Sequence, residues 1–218
     1  MSASVLLIYT GGTIGMLADP RTGILHPMDL AHLEEQVPEL ERVKVRLAST
    51  SFERAIDSSD IRPSDWIRLA AIIQKNYNDF DGFVVLHGSD TMAYTASALS
   101  FLLEGLAKPV ILTGSQLPIG TIRTDAKENL ITAIEIAAAK DEDGHARVPE
   151  VAVYFEYRLF RGNRTVKVHA ERFEAFRSPN WPALAEAGVH IRYDRSAILP
   201  RRSGPLKVYD RMDDHVAV

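Results

Sequence analysis

The chain has 218 residues, 46% of them hydrophobic, which suits one sizeable domain with room for the start of a second. Its formal net charge of −4 excludes a general basic surface for nucleic acid, and the absence of cysteine excludes disulfides and thiolate chemistry. The first apolar run, residues 5–9, is too short for a signal peptide or a membrane span. We therefore expect a cytoplasmic protein that binds neither nucleic acid nor membrane.

Short apolar runs and helical patterns alternate along the chain. Strands are predicted at residues 5–9, 43–48, 83–86, 109–112 and 151–155. Helices are predicted at residues 63–77, 91–104 and 124–139, with Pro63 at a first helical position and Gly105 as a terminator. This alternation predicts an α/β fold in which helices cover both faces of a parallel sheet.

The composition changes near the carboxyl end of the chain. Residues 196–205 are rich in arginine, proline and glycine, as a linker is, and residues 206–218 begin a new apolar and polar pattern. We therefore expect a first domain at residues 1–195, a linker at 196–205, and the start of a truncated second domain at 206–218.

Two predicted strands end in glycine-containing turns that carry hydroxyl side chains. The first turn is Thr-Gly-Gly-Thr at residues 10–13, and the second is His-Gly-Ser-Asp-Thr at residues 87–91. Because open α/β sheets bind ligands at the carboxyl edge of their strands, two such turns indicate an active site with hydroxyl nucleophiles. Simple turn formation or helix N-capping would explain either turn alone. The glycine fingerprints of dinucleotide and phosphate sites are absent, which disfavours phosphate binding.

Two further polar patches add candidate residues. The run Asp-Ser-Ser-Asp at residues 57–60 is either a polar turn or a site where serines hold a carboxylate and an aspartate holds an ammonium. The basic run at residues 161–167 is either an exposed hairpin or the location of a lysine base, Lys167. His87 is expected to make a structural hydrogen bond, and no spacing of His, Asp and Glu indicates a metal site.

These four patches, in this order, resemble the L-asparaginase family and are most similar to its bacterial cytoplasmic type I members. Residues 6–15 match the family's first signature, and residues 82–92 match its second apart from one residue. The resemblance covers the chain to about residue 190. It implies a flavodoxin-like parallel sheet flanked by helices, followed in the family by a smaller α/β domain that is essentially missing here. The implied reaction is hydrolysis of L-asparagine to L-aspartate and ammonia, without metal or cofactor.

The resemblance also implies roles for individual residues. Thr13 matches the primary nucleophile, on a loop that closes over the substrate, and would form an acyl-enzyme. Ser89, Asp90 and Lys167 match a second catalytic cluster of hydroxyl, acid and lysine. Substrate-binding positions of the family are matched by Asp57, Ser58, Ser59, Ser89 and Asp90. In intact family members the chains form homodimers or homotetramers.

Two positions depart from the family pattern. Ser89 stands where threonine is usual, so the hydroxyl is kept while the methyl group that fixes its rotamer is lost. Alignment of residues 22–24 with the family's loop puts Ile24 where a tyrosine normally helps to activate the nucleophile. Two alternatives to an active asparaginase stay open: a non-catalytic amino-acid-binding homologue or fragment, and the asparaginase-like subunit of a tRNA-dependent amidotransferase.

Overall fold

The computed structural model describes residues 2–19, 21–27, 33–213 and 215. The strands within these residues are β1 (Ala3–Tyr9), β2 (Met16–Ala18), β3 (Leu25–Pro27), β4 (Val45–Ser51), β5 (Gly82–Leu86), β6 (Leu103–Glu104), β7 (Val110–Thr113), β8 (Val151–Phe155), β9 (Arg158–Arg161), β10 (Val166–Lys167), β11 (Phe176–Arg177), β12 (Ala185–Ala187), β13 (Ile191–Tyr193) and β14 (Lys207–Val208). The α-helices are α1 (Leu33–Gln36), α2 (Pro63–Asn76), α3 (Met92–Leu102) and α4 (Ala126–Ala138).

The main sheet has eight strands in the order β13-β12-β9-β8-β7-β5-β1-β4. The five strands from β8 to β4 pair in parallel, whereas β9, β12 and β13 extend the sheet by antiparallel pairing. If the five parallel strands are numbered 1 to 5 in the order in which they occur in the chain, their order across the sheet is 2-1-3-4-5. This is the flavodoxin-like arrangement. The predicted α/β fold is confirmed, and the antiparallel extension was not foreseen.

Side chains of the central strands alternate between two buried layers, as the period of a strand requires. In β1, the side chains of Val5, Leu7 and Tyr9 pack into the layer that contains α4. Those of Leu6 and Ile8 pack into the layer that contains α2 and α3. Each fully buried aliphatic side chain stabilises the fold by about 1.5–3 kcal/mol relative to an exposed one. The helices therefore cover both faces of the sheet, as predicted.

Tertiary pairing moves several element boundaries away from the predicted ones. Strand β4 runs from Val45 to Ser51, not 43–48, because it pairs with the whole of β1, from Ala3 opposite Val45 to Tyr9 opposite Ser51. Helix α2 begins at Pro63 as predicted, and the Asp65 carboxylate accepts a hydrogen bond from the Arg62 backbone N–H at 2.9 Å. The sequence pattern thus located β4 and α2, while pairing with β1 set the ends of β4.

The chain returns to the main domain after the predicted linker. Helix α3 ends at Leu102, not at 104, because Leu103–Glu104 forms strand β6 and pairs antiparallel with β14. Gly105 then adopts a φ of +75°, which favours glycine. Part of the segment predicted as a truncated second domain therefore packs against the first one. Residues 214 and 216–218 of that segment lie outside the described residues.

The described helices include none that is both long and apolar enough to cross a membrane.

Candidate active site

The first hydroxyl-bearing turn follows β1 directly. The Thr10 backbone N–H and Oγ1 both donate to the Leu86 carbonyl at the end of β5, at 3.0 and 3.1 Å. Gly11 and Gly12 have φ values of +137° and +90°, which residues with a Cβ rarely adopt. The chain then forms a short 3₁₀ turn, Thr13–Gly15, that leaves Thr13 half-buried.

Three segments meet at the carboxyl edge of the sheet, and glycines allow their close approach. A Cβ added to Gly11 would lie 2.0 Å from the Ile56 carbonyl oxygen, and one added to Gly12 would lie 2.4 Å from Gly88 Cα. A Cβ on Gly88 would lie 2.5 Å from Ser58 Oγ. The segments around residues 10–13, 56–59 and 87–91 are therefore in backbone contact, which unites three of the four predicted patches. Lys167 of the fourth patch reaches the same edge through Ser89 and Asp90.

Tyr9 supports the Thr13 turn from the core side. Its hydroxyl donates to the Gly12 and Gly15 carbonyls at 3.3 and 3.2 Å, and its ring lies where a Cβ of Gly15 would be. Burial raises the pKa of Tyr9 to about 12, so the phenol stays protonated and acts as a donor. Sequence reasoning saw Tyr9 only as a strand residue and missed this contact.

The segment at residues 57–60 forms a 3₁₀ turn, Ser58–Asp60, capped by Asp57. The Ser59 backbone N–H and hydroxyl donate to Asp57 Oδ1 at 3.0 and 2.8 Å, and these bonds hold the pKa of Asp57 below its usual range. Ser58 is buried, and its carbonyl accepts a 2.6 Å hydrogen bond from Thr91 Oγ1. Asp57 and Ser59 are exposed, so an anionic carboxylate and a hydroxyl face solvent beside the Thr13 turn.

Ser89, Asp90 and Lys167 form the cluster that the sequence resemblance implies. Lys167 Nζ donates to Ser89 Oγ at 2.9 Å and to Asp90 Oδ1 at 2.6 Å. The Lys167 side chain is 15% exposed and that of Asp90 63% exposed, so the amine lies inward and the acid outward. The preceding turn, Gly162–Arg164, packs against α3 so closely that a Cβ on Gly162 would lie 3.0 Å from the Ala96 carbonyl oxygen.

His87 is a structural residue, as predicted. Its Nδ1 lies 2.7 Å from the Gly88 carbonyl, and its Nε2 lies 2.9 Å from Thr95 Oγ1, which also accepts from Trp66 Nε1 at 2.8 Å. Because a carbonyl can only accept, Nδ1 carries a proton, and in the neutral ring Nε2 accepts from the Thr95 hydroxyl. Burial lowers the pKa of His87 to about 4, against the opposing effect of the Gly88 hydrogen bond.

Ile24 lies at the turn between β2 and β3. Its side chain is 58% exposed, and its carbonyl accepts from the Asp19 backbone N–H at 2.9 Å. Gly23, at φ +71°, provides the turn. An exposed aliphatic side chain has no donor or acceptor, so Ile24 cannot supply the hydroxyl group that the family resemblance leads us to expect in this loop.

Sequence reasoning also missed Gln116 and Asp125. Gln116 follows the end of β7, next to the ends of β5 and β8, and its Oε1 lies 3.4 Å from Ser89 Oγ. Asp125 is buried and accepts from the Gln116 backbone N–H. The signal was available, because β7 is a predicted parallel strand and the polar residues after it share the edge with both hydroxyl turns.

One group of potential metal ligands occurs among the described residues, namely Asp141, Asp143 and His145. It lies in the charged loop after α4, at the edge of the sheet opposite the hydroxyl turns. Asp141 Oδ1 accepts backbone hydrogen bonds from Asp143 and His145, which accounts for the clustering by turn formation.

Comparison with known proteins relates the whole segment that forms this site to one family. The family model described as Asparaginase, N-terminal matches residues 4–199. L-asparaginase 1 of Escherichia coli (strain K12) is 46% identical over 210 residues, which are 94% of this chain and 60% of that protein.

Solved structures give the same relationship. The crystal structure of L-asparaginase I from Vibrio cholerae has a TM-score of 0.85 and 41% identity, covering 96% of this chain and 61% of that chain. The structure of a probable cytoplasmic L-asparaginase from Campylobacter jejuni has a TM-score of 0.75 and 27% identity, covering 88% and 57%. The chain thus spans roughly three fifths of the length of these relatives.

Proposed function

Because this chain belongs to the asparaginase family, we propose that it carries the catalytic site of an L-asparaginase, which hydrolyses L-asparagine to L-aspartate and ammonia. The observation that carries this proposal is the convergence of the Thr13 turn with Ser89, Asp90 and Lys167 at one sheet edge. A free hydroxyl near a hydroxyl–acid–lysine cluster is suited to acyl transfer from an amide.

Thr13 is the proposed nucleophile. Its oxygen bonds to the side-chain amide carbon of asparagine, the C–N bond breaks, and ammonia leaves with the proton taken from the threonine. Water then cleaves the acyl-enzyme, which releases aspartate and restores Thr13. Within the described residues, the Thr13 hydroxyl makes no hydrogen bond, so it is free to turn toward a substrate.

Ser89, Asp90 and Lys167 are the proposed second catalytic cluster. Lys167 donates to both partners, so the ammonium and the Ser89 hydroxyl can pass a proton toward the reacting groups. The turn around Ser89 precedes helix α3, where backbone N–H groups point outward and can stabilise the oxyanion. Like Thr13, these groups act without metal or cofactor.

The proposed substrate contacts use the exposed polar groups beside these clusters. Asp90 and Asp57 supply anionic oxygens for the substrate's α-ammonium, and Ser58, Ser59 and Ser89 supply hydroxyl or backbone donors for its α-carboxylate. The depressed pKa of Asp57 keeps its carboxylate ionised at neutral pH.

We also propose the organisation of the whole protein from the family resemblance. Residues 1–195 form the catalytic domain and 196–205 form the linker. Residues 206–218 first pair with β6 through strand β14 and then lead into a second domain. The intact protein is a cytoplasmic homodimer or homotetramer.

Ammonia release from L-asparagine by the purified protein tests the proposal. Thr13→Ala should lower the rate by more than about 1,000-fold, because nucleophile removal costs at least this much in comparable hydrolases. Ser64→Ala, which removes an exposed hydroxyl on α2, is the matched control and should keep the full rate. An undiminished rate in Thr13→Ala would reject the nucleophile. L-aspartate binding without any ammonia release from the unaltered protein would favour a non-catalytic binding protein.

A further inference from the structure

The loop after β7 is held rigidly by buried polar groups of α4 and the residue before it. The Asp125 carboxylate accepts from the Gln116 backbone N–H at 3.1 and 2.9 Å and from the Leu117 N–H at 3.1 Å. Fully buried Asn129 donates to Asp125 Oδ2 at 3.3 Å and to the Gly114 carbonyl at 3.0 Å. The backbone that carries the Gln116 side chain therefore has little freedom.

The Gln116 side chain uses all of its polar groups on two other segments. Its Nε2 donates to the Ala170 carbonyl at 3.0 Å and to the Arg172 carbonyl at 2.8 Å. Its Oε1 lies 3.4 Å from Ser89 Oγ and accepts from that hydroxyl. Only a side-chain amide offers two donors and an acceptor in this arrangement, so neither glutamate nor methionine can reproduce it.

The segment that Gln116 holds is the continuation of the Lys167 strand. Lys167 lies on β10, which pairs with β11 over only two residues, and an eight-residue loop joins the two strands. Beyond the strands, the Val168 backbone N–H donates to the Ala175 carbonyl at 2.8 Å. Such a short ladder is marginal by itself. Ala175 and Phe176 anchor its far end in the core, and the two hydrogen bonds from Gln116 hold the loop between the strands, at Ala170 and Arg172, to the sheet edge.

We propose that Gln116 is a positioning residue, which ties the segment after Lys167 to the Ser89 turn and thereby fixes the Lys167 amine beside Ser89 and Asp90. This inference rests on the proposed function. Gln116 acts through the position of Lys167 and of the Ser89 hydroxyl. The segment is expected to separate from the sheet edge when the amide is removed.

The experiment compares Gln116→Met with Gln74→Met, which makes the same change on the exposed face of α2. Two readouts are taken on the full chain. The first is the rate of tryptic cleavage after Arg172 under native conditions, followed by mass spectrometry. The second is kcat and KM for ammonia release from L-asparagine.

In Gln116→Met we expect cleavage after Arg172 to become about tenfold faster, because local opening is then easier by the net worth of two hydrogen bonds. We expect kcat to fall about 10- to 100-fold while KM changes less than about twofold, since displacement by about 1 Å has this effect on catalytic geometry. Gln74→Met should match the unaltered protein in both readouts.

A purely structural role of Gln116 would lower thermal stability without a selective loss of kcat, and that result would overturn the inference. Unchanged cleavage after Arg172, or faster cleavage with unchanged kcat, would overturn it as well. Each of these results leaves the proposed function standing, provided that the unaltered protein releases ammonia. Absence of ammonia release from the unaltered protein would overturn both.

Discussion

Replacement of Tyr9 by phenylalanine should slow the proposed reaction although Tyr9 touches no substrate position assigned above. The phenylalanine ring keeps the packing against Gly15, and only the hydroxyl that reaches the Gly12 and Gly15 carbonyls is lost. These carbonyls flank Thr13, so the change loosens the turn that carries the proposed nucleophile.

The size of the effect follows from the geometry of these hydrogen bonds. The two contacts, at 3.3 and 3.2 Å, are long for a hydroxyl donor and share a single hydrogen. The Gly12 carbonyl also keeps its 3.2 Å bond from the Gly15 backbone N–H. We therefore expect a loss of about 1 kcal/mol in the free energy of unfolding, which lowers Tm by about 2–4 °C in a chain of this size. A displaced Thr13 should lower kcat about tenfold, with KM nearly unchanged.

Calorimetry and steady-state ammonia release would measure both effects. Tyr193→Phe is the matched control, because burial also raises the pKa of Tyr193 to about 12 and its hydroxyl makes no hydrogen bond within the described residues. A Tyr9→Phe protein with unchanged kcat would refute the argument that the Tyr9 hydroxyl holds the Thr13 turn, even if Tm fell as expected.

Two further predictions concern buried groups away from the reacting atoms. Arg161→Met should lower the free energy of unfolding by about 3–5 kcal/mol in urea titrations, because it leaves the buried Glu150 carboxylate without its 2.7 Å ion pair. The double variant Arg161→Met, Glu150→Gln should recover part of this loss. An equally unstable double variant would contradict the explanation. For His87, a folded-state pKa of about 4 lies below the ordinary histidine value of 6.5, so the unfolded chain takes up the proton first as pH falls. The neutral His87 ring therefore makes its full contribution to the free energy of unfolding above pH 6.5, and this contribution should fall by about 2 kcal/mol between pH 7 and pH 5. His87→Gln should show a correspondingly smaller pH dependence of the free energy of unfolding. An identical pH dependence would refute the low pKa of His87.

Local patterns predicted most of the sheet and its helices. The run at residues 5–9 and strand β5 are buried and apolar throughout, and periodicity alone identifies them. The hydroxyl turns could be placed at one edge because parallel strands end on the same side. Their shared location followed from topology, whereas the roles proposed for their residues came from the resemblance to a family.

Contacts between residues distant in the sequence could not be predicted in this way. Strands β6 and β14 have two residues each, too few for any periodic pattern, and they form only because the chain returns across the end of α3. Gln116 contacts Ala170 and Arg172 across more than fifty positions. The sequence around a glutamine that follows a strand does not indicate which carbonyl groups its side chain will contact, because the packing of α4 decides the direction of that side chain.

The glycine contacts at the sheet edge also bear on how this protein is assembled. Thr10 meets Leu86 across 76 positions of sequence, and the segment near Ile56 must reach the same place between them. Closing such long loops costs entropy before any of these contacts stabilises the chain. The proposed site therefore cannot form before β1, β4 and β5 are paired, and no short peptide from this sequence would contain it. Binding of an amino acid by this protein would therefore indicate that β1 and the strands beside it have formed their native pairing.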